Sequence, residues 1–238
     1  MTVKNFACEW AQGHIVLVDG DRRLLIDTGS PISIAETEEF EFAGETHPAH
    51  TDFLGMTIAQ LSRQIGTDLN ALVGTDVLQY WEVLIDMSAG RIGLDRQPID
   101  LDLHLDAVET EMTMPMAAPV LQVRVGGASI PAFFDTGAPV SYAPERLVRG
   151  LDAIGEAEDF YPVIGDFSTP LYDVEVALGP ERWSIRMGVL PEAVRALLSL
   201  SGTDCILGTS LLQTHRALLG FPRGRIAFQG CGGQGRAQ

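Results

Sequence analysis

Two stretches of the chain share one pattern, in which two short apolar segments flank a turn and the second segment ends on an aspartate. The first reads HIVLVDGDRRLLIDTGS, with its turn at residues 19–20 and its aspartate at Asp27. The second reads LQVRVGGASIPAFFDTGA, with its turn at residues 126–127 and its aspartate at Asp135. Asp-Gly and Gly-Gly are favoured in two-residue hairpin turns. Each stretch is therefore predicted to form a β-hairpin that ends in an aspartate-bearing loop.

A longer match follows each aspartate and indicates an internal duplication. Residues 74–94 and 208–228 align without gaps, and eight of the 21 positions from 74 to 94 are identical to their counterparts 134 residues later. A repeated unit of this kind predicts two similar lobes. We predict an N-terminal lobe at residues 1–96, a C-terminal lobe at 119–230 and a disordered tail at 231–238.

The segment between the lobes, residues 97–118, is predicted to be a strand and linker. Four apolar residues alternate with polar ones at the period of a half-buried strand; they are Ile99, Leu101, Leu103 and Leu105. Short helical patterns lie at 57–65 and 191–200, each just ahead of a duplicated glycine. Strand and turn patterns dominate elsewhere, so the predicted fold class is all-β, with two lobes related by pseudo-twofold symmetry and a few short helices.

Composition and charge exclude several classes of protein. The chain has 16 basic and 32 acidic residues and a formal net charge of −16, which disfavours a nucleic-acid partner because such partners select basic surfaces. No run of about 18 apolar residues occurs, so we expect no membrane partner. The start, MTVKNFACEW, lacks the apolar block of a secretory signal peptide, which favours a cytoplasmic protein. A leader removed ahead of Met1 would leave the same pattern.

Metal and cofactor sites are not predicted. The three cysteines, Cys8, Cys205 and Cys231, show no CxxC spacing. His47 and His50 lie close together but have no acidic or cysteine partner at a ligand spacing. We therefore expect no metal and no cofactor.

The paired Asp-Thr-Gly triplets are the most specific chemical signal. One triplet is expected by chance in roughly one chain in twenty of this length, whereas two triplets, each after an apolar strand and each followed by an apolar-apolar-Gly, are far more specific. The pattern resembles the aspartic peptidases of the pepsin and retropepsin superfamily, and the resemblance covers nearly the whole chain. It implies a bilobal pepsin-like fold with Asp27 and Asp135 as the catalytic pair, and residues 72–74 and 206–208 as supporting segments.

The resemblance also implies roles for the neighbours of each aspartate. Two carboxylates in close contact cannot both ionise, so they share a proton and one acts as base while the other acts as acid. Six neighbours are expected to support the pair, the glycines by letting peptide N–H groups approach the carboxylates and the threonines by bonding across the symmetry axis; they are Thr28, Gly29, Ser30, Thr136, Gly137 and Ala138. A Ser30 hydroxyl that donates to Asp27 would make Asp27 the more acidic member.

The two copies differ in length, which predicts a single flap. The second copy has 26 more residues between its aspartate and its glycine than the first. This insertion resembles the flap of a retropepsin subunit, whereas the first copy is expected to lack one. The predicted flap is centred near Gly165, with candidate substrate contacts at Phe160, Tyr161, Phe167 and Tyr172.

The function implied by the resemblance is hydrolysis of peptide bonds in a peptide or protein substrate by a monomer, since both halves of the site lie in one chain. Two alternatives remain open at this stage. The triplets could be ordinary turn residues, because Asp, Thr and Gly all favour turns. The fold could also belong to a catalytically inactive peptide-binding or assembly protein.

Overall fold

The computed structural model describes residues 3–99, 107–162, 164–199 and 202–231, and this part of the chain is mostly β-structure. The strands in chain order are β1 (Lys4–Ala11), β2 (His14–Asp19), β3 (Arg22–Ile26), β4 (Ile34–Ala35), β5 (Glu39–Phe42), β6 (Glu45–Pro48), β7 (Asp52–Phe53), β8 (Met56–Thr57), β9 (Ala71–Val73), β10 (Glu82–Asp86), β11 (Arg91–Asp95), β12 (Ala107–Glu111), β13 (Val120–Val125), β14 (Ala128–Phe134), β15 (Ser141–Tyr142), β16 (Gly155–Tyr161), β17 (Gly165–Leu178), β18 (Glu181–Gly188), β19 (Ile206–Leu207), β20 (His215–Gly220) and β21 (Arg225–Gly230).

The helices are short. The α-helices are α1 (Ile58–Ile65), α2 (Thr75–Leu78), α3 (Glu145–Val148) and α4 (Glu192–Ser199). The 3-10 helices are Met87–Ala89, Pro115–Ala117, Thr209–Gln213 and Phe221–Arg223. Helices α1 and α4 form where the sequence predicts them, and α1 begins with a capping box between Thr57 and Gln60 and ends at Gly66 in a left-handed conformation. None of the described helices is long and apolar enough to cross a membrane.

Two large sheets carry the two halves of the chain. The ten-stranded sheet has the order β12-β21-β20-β10-β11-β1-β2-β3-β9-β4, and the seven-stranded sheet has the order β13-β14-β19-β15-β18-β17-β16. Two small hairpins, β5–β6 and β7–β8, complete the described sheets. The all-β, bilobal prediction is confirmed. The C-terminal half nevertheless contributes β20 and β21 to the ten-stranded sheet, so the sheets do not divide the chain at one point.

Both predicted hairpins form. Strand β13 pairs with β14 around the turn at residues 126–127, as predicted, whereas β2 pairs with β3 through Asp19 and Arg22. The first turn is therefore at residues 20–21, one residue later than the sequence suggested. Gly20 has a φ of 63°, a value that glycine adopts without strain.

The pseudo-twofold axis passes between identical residues of the duplication. Strand β10 pairs antiparallel with β20, and Leu84 lies opposite Leu218, its own counterpart 134 residues later. Because an antiparallel pair is itself twofold symmetric, two copies of one strand can pair in this way without distortion. The central part of the ten-stranded sheet thus joins the halves.

Among the described residues, the hydrophobic core has one main cluster and three smaller clusters. The main cluster includes Ile15, Trp81, Phe134 and Phe228, all with an exposed fraction of 2% or less. One smaller cluster packs around α1, another packs around α4, and the third includes Leu84 and Leu218 of the central strands. The predicted interlobe strand falls mainly on residues 100–106 and the predicted tail on 232–238, so both lie outside the described residues, apart from β12 and Cys231.

Candidate active site

Each Asp-Thr-Gly comes directly after a strand. That strand pairs in parallel with a later strand of the same copy. Strand β3 pairs in parallel with β9, and the Asp27 N–H donates to the carbonyl of Val73 at 3.1 Å. Strand β14 pairs in parallel with β19, and the Asp135 N–H donates to the carbonyl of Leu207 at 2.9 Å. The apolar-apolar-Gly segments therefore fix the backbone at both aspartates.

The two aspartates face each other across the pseudo-twofold axis. A methyl group built on Gly29 would overlap the carboxylate of Asp135, and one built on Gly137 would overlap the carboxylate of Asp27. Both aspartates line the same cavity, which has a volume of about 150 Å³. The glycines are required here because each opposing carboxylate lies against the position that a side chain would fill.

Two buried threonines join the loops beneath the carboxylates. The Thr28 N–H donates to the Thr136 hydroxyl oxygen and the Thr136 N–H donates to the Thr28 hydroxyl oxygen, both at 3.0 Å. The Thr28 hydroxyl donates to the carbonyl of Phe134 and the Thr136 hydroxyl to the carbonyl of Ile26, both at 2.7 Å. These four reciprocal bonds hold the two aspartates in register.

Backbone N–H groups donate to both carboxylates. Asp27 accepts from the N–H groups of Gly29 and Ser30 at 2.9 and 3.0 Å, and Asp135 accepts from the N–H of Gly137 at 2.8 Å. The expectation that the Ser30 hydroxyl donates to Asp27 is wrong, because that hydroxyl donates to the carbonyl of Ile32 at 2.7 Å. Ala138 lines the cavity at the equivalent position.

Burial raises the pKa of both aspartates, because removing a carboxylate from water disfavours its charged form. For Asp27, the N–H groups of Gly29 and Ser30 and the nearby His14 lower the pKa and oppose this effect. For Asp135, burial and the charge of Asp27 raise the pKa to about 7. Asp135 is therefore the member that holds a proton more readily.

Paired serines support the duplicated glycines, and sequence reasoning missed them. The N–H of Gly74 donates to the Ser33 hydroxyl and the N–H of Gly208 donates to the Ser141 hydroxyl, both at 2.9 Å. The signal was present, since residues 27–35 and 135–143 read DTGSPISIA and DTGAPVSYA and are identical at six of nine positions.

The insertion in the second copy forms a long hairpin that reaches the cavity. Strand β16 pairs with β17 up to Tyr161 opposite Gly165, and Gly165 has a φ of 78° at the end of the loop. Phe160, Tyr161 and Phe167 line the cavity. Gly165 and Tyr172 are not among its lining residues, and Tyr172 packs against the main core.

The first copy also has a hairpin at the cavity, which corrects the expectation of a single flap. Strands β7 and β8 form a hairpin of only six residues, and Phe53, Leu54 and Met56 from it line the cavity. Its tip residues Leu54 and Gly55 have φ values of 53° and 79°. The copies thus differ in the length of the hairpin stem rather than in whether a hairpin exists.

A third carboxylate and a histidine lie at the site, and neither was predicted. Asp159 of β16 lines the dyad cavity and also a second hollow, of about 430 Å³, which is lined by Asp27, Gly137 and His14 as well. Asp159 accepts a hydrogen bond from the buried Tyr142 hydroxyl. No repeat marks these residues, because neither has a like residue at the matching position of the other copy.

The described residues contain no group of three or more His, Cys, Asp and Glu side chains that could hold a metal ion. The chemistry that this arrangement supports is proton transfer between two close carboxyl groups and a small molecule between them.

Comparison with solved structures finds the same fold over nearly the whole chain. An aspartic proteinase from Irpex lacteus aligns with a TM-score of 0.54 at 11% sequence identity, covering 96% of this chain and 97% of that chain. Basic 7S globulin from soybean aligns with a TM-score of 0.51 at 10% identity, covering 96% of this chain and 95% of that chain. No protein-family model and no curated protein sequence matches the chain. The chain therefore has a pepsin-like fold, and at these identities the similarity establishes the fold alone.

Proposed function

We propose that this protein is an aspartic endopeptidase in which Asp27 and Asp135 activate a water molecule to hydrolyse peptide bonds. The observation that carries the proposal is the reciprocal contact between the two triplets, in which each glycine lies against the carboxylate of the other copy at the wall of one cavity. Turn residues without a shared function would not need this approach of two charges, which costs free energy unless a proton is shared.

The proposed reaction uses the two aspartates in different protonation states. Ionised Asp27 accepts a proton from the water, and the water oxygen attacks the carbonyl carbon of the peptide bond. Protonated Asp135 gives its proton to the developing oxyanion, which yields a neutral gem-diol. The C–N bond then breaks as the leaving nitrogen takes the proton held by Asp27 and one gem-diol hydroxyl returns a proton to Asp135. The assignment follows from the pKa of Asp135, which burial and the charge of Asp27 raise to about 7, and from the charge of His14, which opposes the effect of burial at Asp27.

The walls of the cavity fit a peptide chain as substrate. Aromatic side chains of the long hairpin, Phe160, Tyr161 and Phe167, lie on one part of the wall, and Phe53 and Met56 of the short hairpin lie on another. Apolar walls around a few convergent polar groups are typical of ligand sites. Both aspartates come from one chain, so we propose that the monomer is the active unit.

The test is cleavage of unfolded casein and of a peptide library from about pH 3 to about pH 8, with and without pepstatin. We expect Asp27→Asn and Asp135→Asn each to lower kcat/KM by about 10²- to 10⁴-fold or more, because each removes one partner of the proton transfer. Asp173→Asn is the matched control, since Asp173 is an exposed residue of β17 that does not line the cavity.

Two results of this test would contradict the proposal. Cleavage that survives in both dyad variants would show that a contaminating or different activity is responsible. Binding of library peptides by the wild-type protein without cleavage, retained in Asp27→Asn, would support the peptide-binding protein instead.

A further inference from the structure

We propose that His14 and Asp159 are positioning residues that make the dyad asymmetric, so that Asp27 is the base and Asp135 is the acid. This inference deepens the proposed function and rests on it. A dyad with perfect twofold symmetry would give its two aspartates identical surroundings, and the structure departs from that symmetry at these two side chains.

Asp159 is held in place at the dyad by the second copy. Its carboxylate accepts from the Tyr142 hydroxyl and from the N–H of Phe160, the latter at 2.8 Å. Tyr142 follows the second triplet on β15 and has an exposed fraction of 2%. The counterpart of Tyr142 in the first copy is Ile34, which has no hydroxyl, so this arrangement exists on one side of the axis alone.

His14 lies at the start of β2 and lines the hollow that it shares with Asp27 and Asp159. One ring nitrogen, Nδ1, is 3.3 Å from the carbonyl of Ala11, an arrangement in which Nδ1–H donates and orients the ring. Strand β13, which takes the place of β2 in the second copy, reads VLQVRV and has no histidine.

The charges of these two side chains act on different members of the dyad. Burial and the charge of Asp27 are the larger causes that raise the pKa of Asp135, and the negative charge of Asp159 adds to them. Burial raises the pKa of Asp27 and of Asp159, and the positive charge of His14 opposes that rise at both. Both effects favour a proton on Asp135 and a negative charge on Asp27.

The other titratable or charged groups along this part of the cleft come from β16 itself and from three further segments. They are Tyr142 on β15, Glu158 and Tyr161 on β16, Asp166 on β17 and, in a neighbouring hollow, Arg63 on α1. Glu158, Asp166 and Arg63 are exposed, so water screens their charges more than that of Asp159.

The test is the pH dependence of kcat/KM for wild type, Asp159→Asn and His14→Gln on one peptide substrate. Asparagine keeps an acceptor for Tyr142 but removes the charge. The alkaline limb reports loss of the proton from Asp135, and we expect it to move to lower pH by about 0.5–1 unit in Asp159→Asn. The acid limb reports protonation of Asp27, and we expect it to move to higher pH by a similar amount in His14→Gln.

Three control variants separate charge from packing. Glu156→Gln removes a charge from the same strand at an exposed position, and His50→Gln removes an exposed histidine; both should leave both limbs in place. Tyr142→Phe removes the hydroxyl that holds Asp159 but keeps the charge. If Tyr142→Phe moved the alkaline limb as far as Asp159→Asn does, Asp159 would have a structural role and the inference would be wrong.

A second readout does not depend on activity. Titration of ¹³C-labelled aspartate carboxyl groups by NMR should show the same two shifts in the same two variants. A wild-type protein that cleaves no peptide but shows these shifts would overturn the proposed function and leave the asymmetry intact. If a variant left both limbs of the pH profile of kcat/KM in place, or left the carboxyl titrations unshifted, the positioning role of the replaced residue would be wrong.

Discussion

No side chain larger than that of glycine fits at Gly29 or Gly137 in the candidate active site, because each residue lies in contact with a carboxylate of the opposite copy. Neither has a positive φ, so their conformational freedom is not what the site requires. The absence of a β-carbon allows two loops from distant parts of the chain to approach closely. The same close approach gives Asp27 and Asp135 their coupled titration, since no side chain separates them.

We expect Gly29→Ala to abolish cleavage and to lower the free energy of unfolding by about 1–3 kcal/mol, because the methyl group would push Asp135 out of position. Chemical denaturation and the casein assay would measure the two effects. Gly155→Ala is the control, since a methyl group there meets open space at a φ outside the positive range. Retained activity in Gly29→Ala would mean that the carboxylates are further apart than the structure shows.

Hydrogen bonds join the two Asp-Thr-Gly loops into one structural unit, although each loop belongs to a different copy. Thr28 and Thr136 have exposed fractions of 1% and 0%, and each hydroxyl accepts one bond and donates one bond across the axis. Buried polar groups that are fully satisfied in this way fix one arrangement, since any shift would leave a donor or an acceptor without a partner. The long and short hairpins are then placed over a rigid base.

Replacing Thr28 by Val keeps the shape of the side chain but removes its hydroxyl. The N–H of Thr136 and the carbonyl of Phe134 then lose their partner, and we expect a loss of about 2–4 kcal/mol in the free energy of unfolding. Thr37→Val, which removes an exposed bond to the carbonyl of Glu39, should cost far less. Equal losses in the two variants would contradict a special role for the paired threonines.

At the scale of the whole molecule, the halves are joined by the central strands and by charges that differ between the copies. Glu82 of β10 has an exposed fraction of 1%, and it accepts two hydrogen bonds, of 2.9 and 2.6 Å, from Arg223 of the other half. The position equivalent to Glu82 in the second copy is Arg216, so the two copies have diverged to opposite charges at this position.

Arg223→Ala would leave the carboxylate of Glu82 buried without a partner. We expect it to lower the free energy of unfolding by about 3 kcal/mol. Arg225→Ala removes a partly exposed pair with Glu109 in the same sheet and should cost less than about 1 kcal/mol. If urea denaturation gave the two variants equal stability, the buried pair would contribute no more than a surface pair.

The stability of the molecule should also depend on pH through Asp135. The folded protein raises the pKa of Asp135 from 3.8 to about 7, so the folded state binds a proton more tightly than the unfolded state. The resulting stabilisation is complete below about pH 4 and is lost as the pH rises to about 7. The free energy of unfolding of wild type relative to Asp135→Asn should fall over this window. A difference that is flat or that rises would contradict the raised pKa.

The sequence by itself determined the duplication, the two hairpins, the position of each aspartate and the short helices α1 and α4. The hairpins and helices follow from patterns that are local in the chain. The duplication follows from matches at a fixed offset, such as that of Gly74 with Gly208. The bonding of the paired threonines across the axis was expected from the resemblance to the pepsin and retropepsin superfamily, on the residues that the repeat marks.

Only the tertiary structure decided what several differences between the two copies do at the site. The approach of His14 and Asp159 to the dyad, the short hairpin of the first copy and the direction of the Ser30 hydroxyl all depend on how distant strands cross. No repeat signals them, because they are the places where the symmetry is broken. A repeat specifies what two halves share, whereas the effect of their differences on the site depends on how packing brings remote side chains into one cleft.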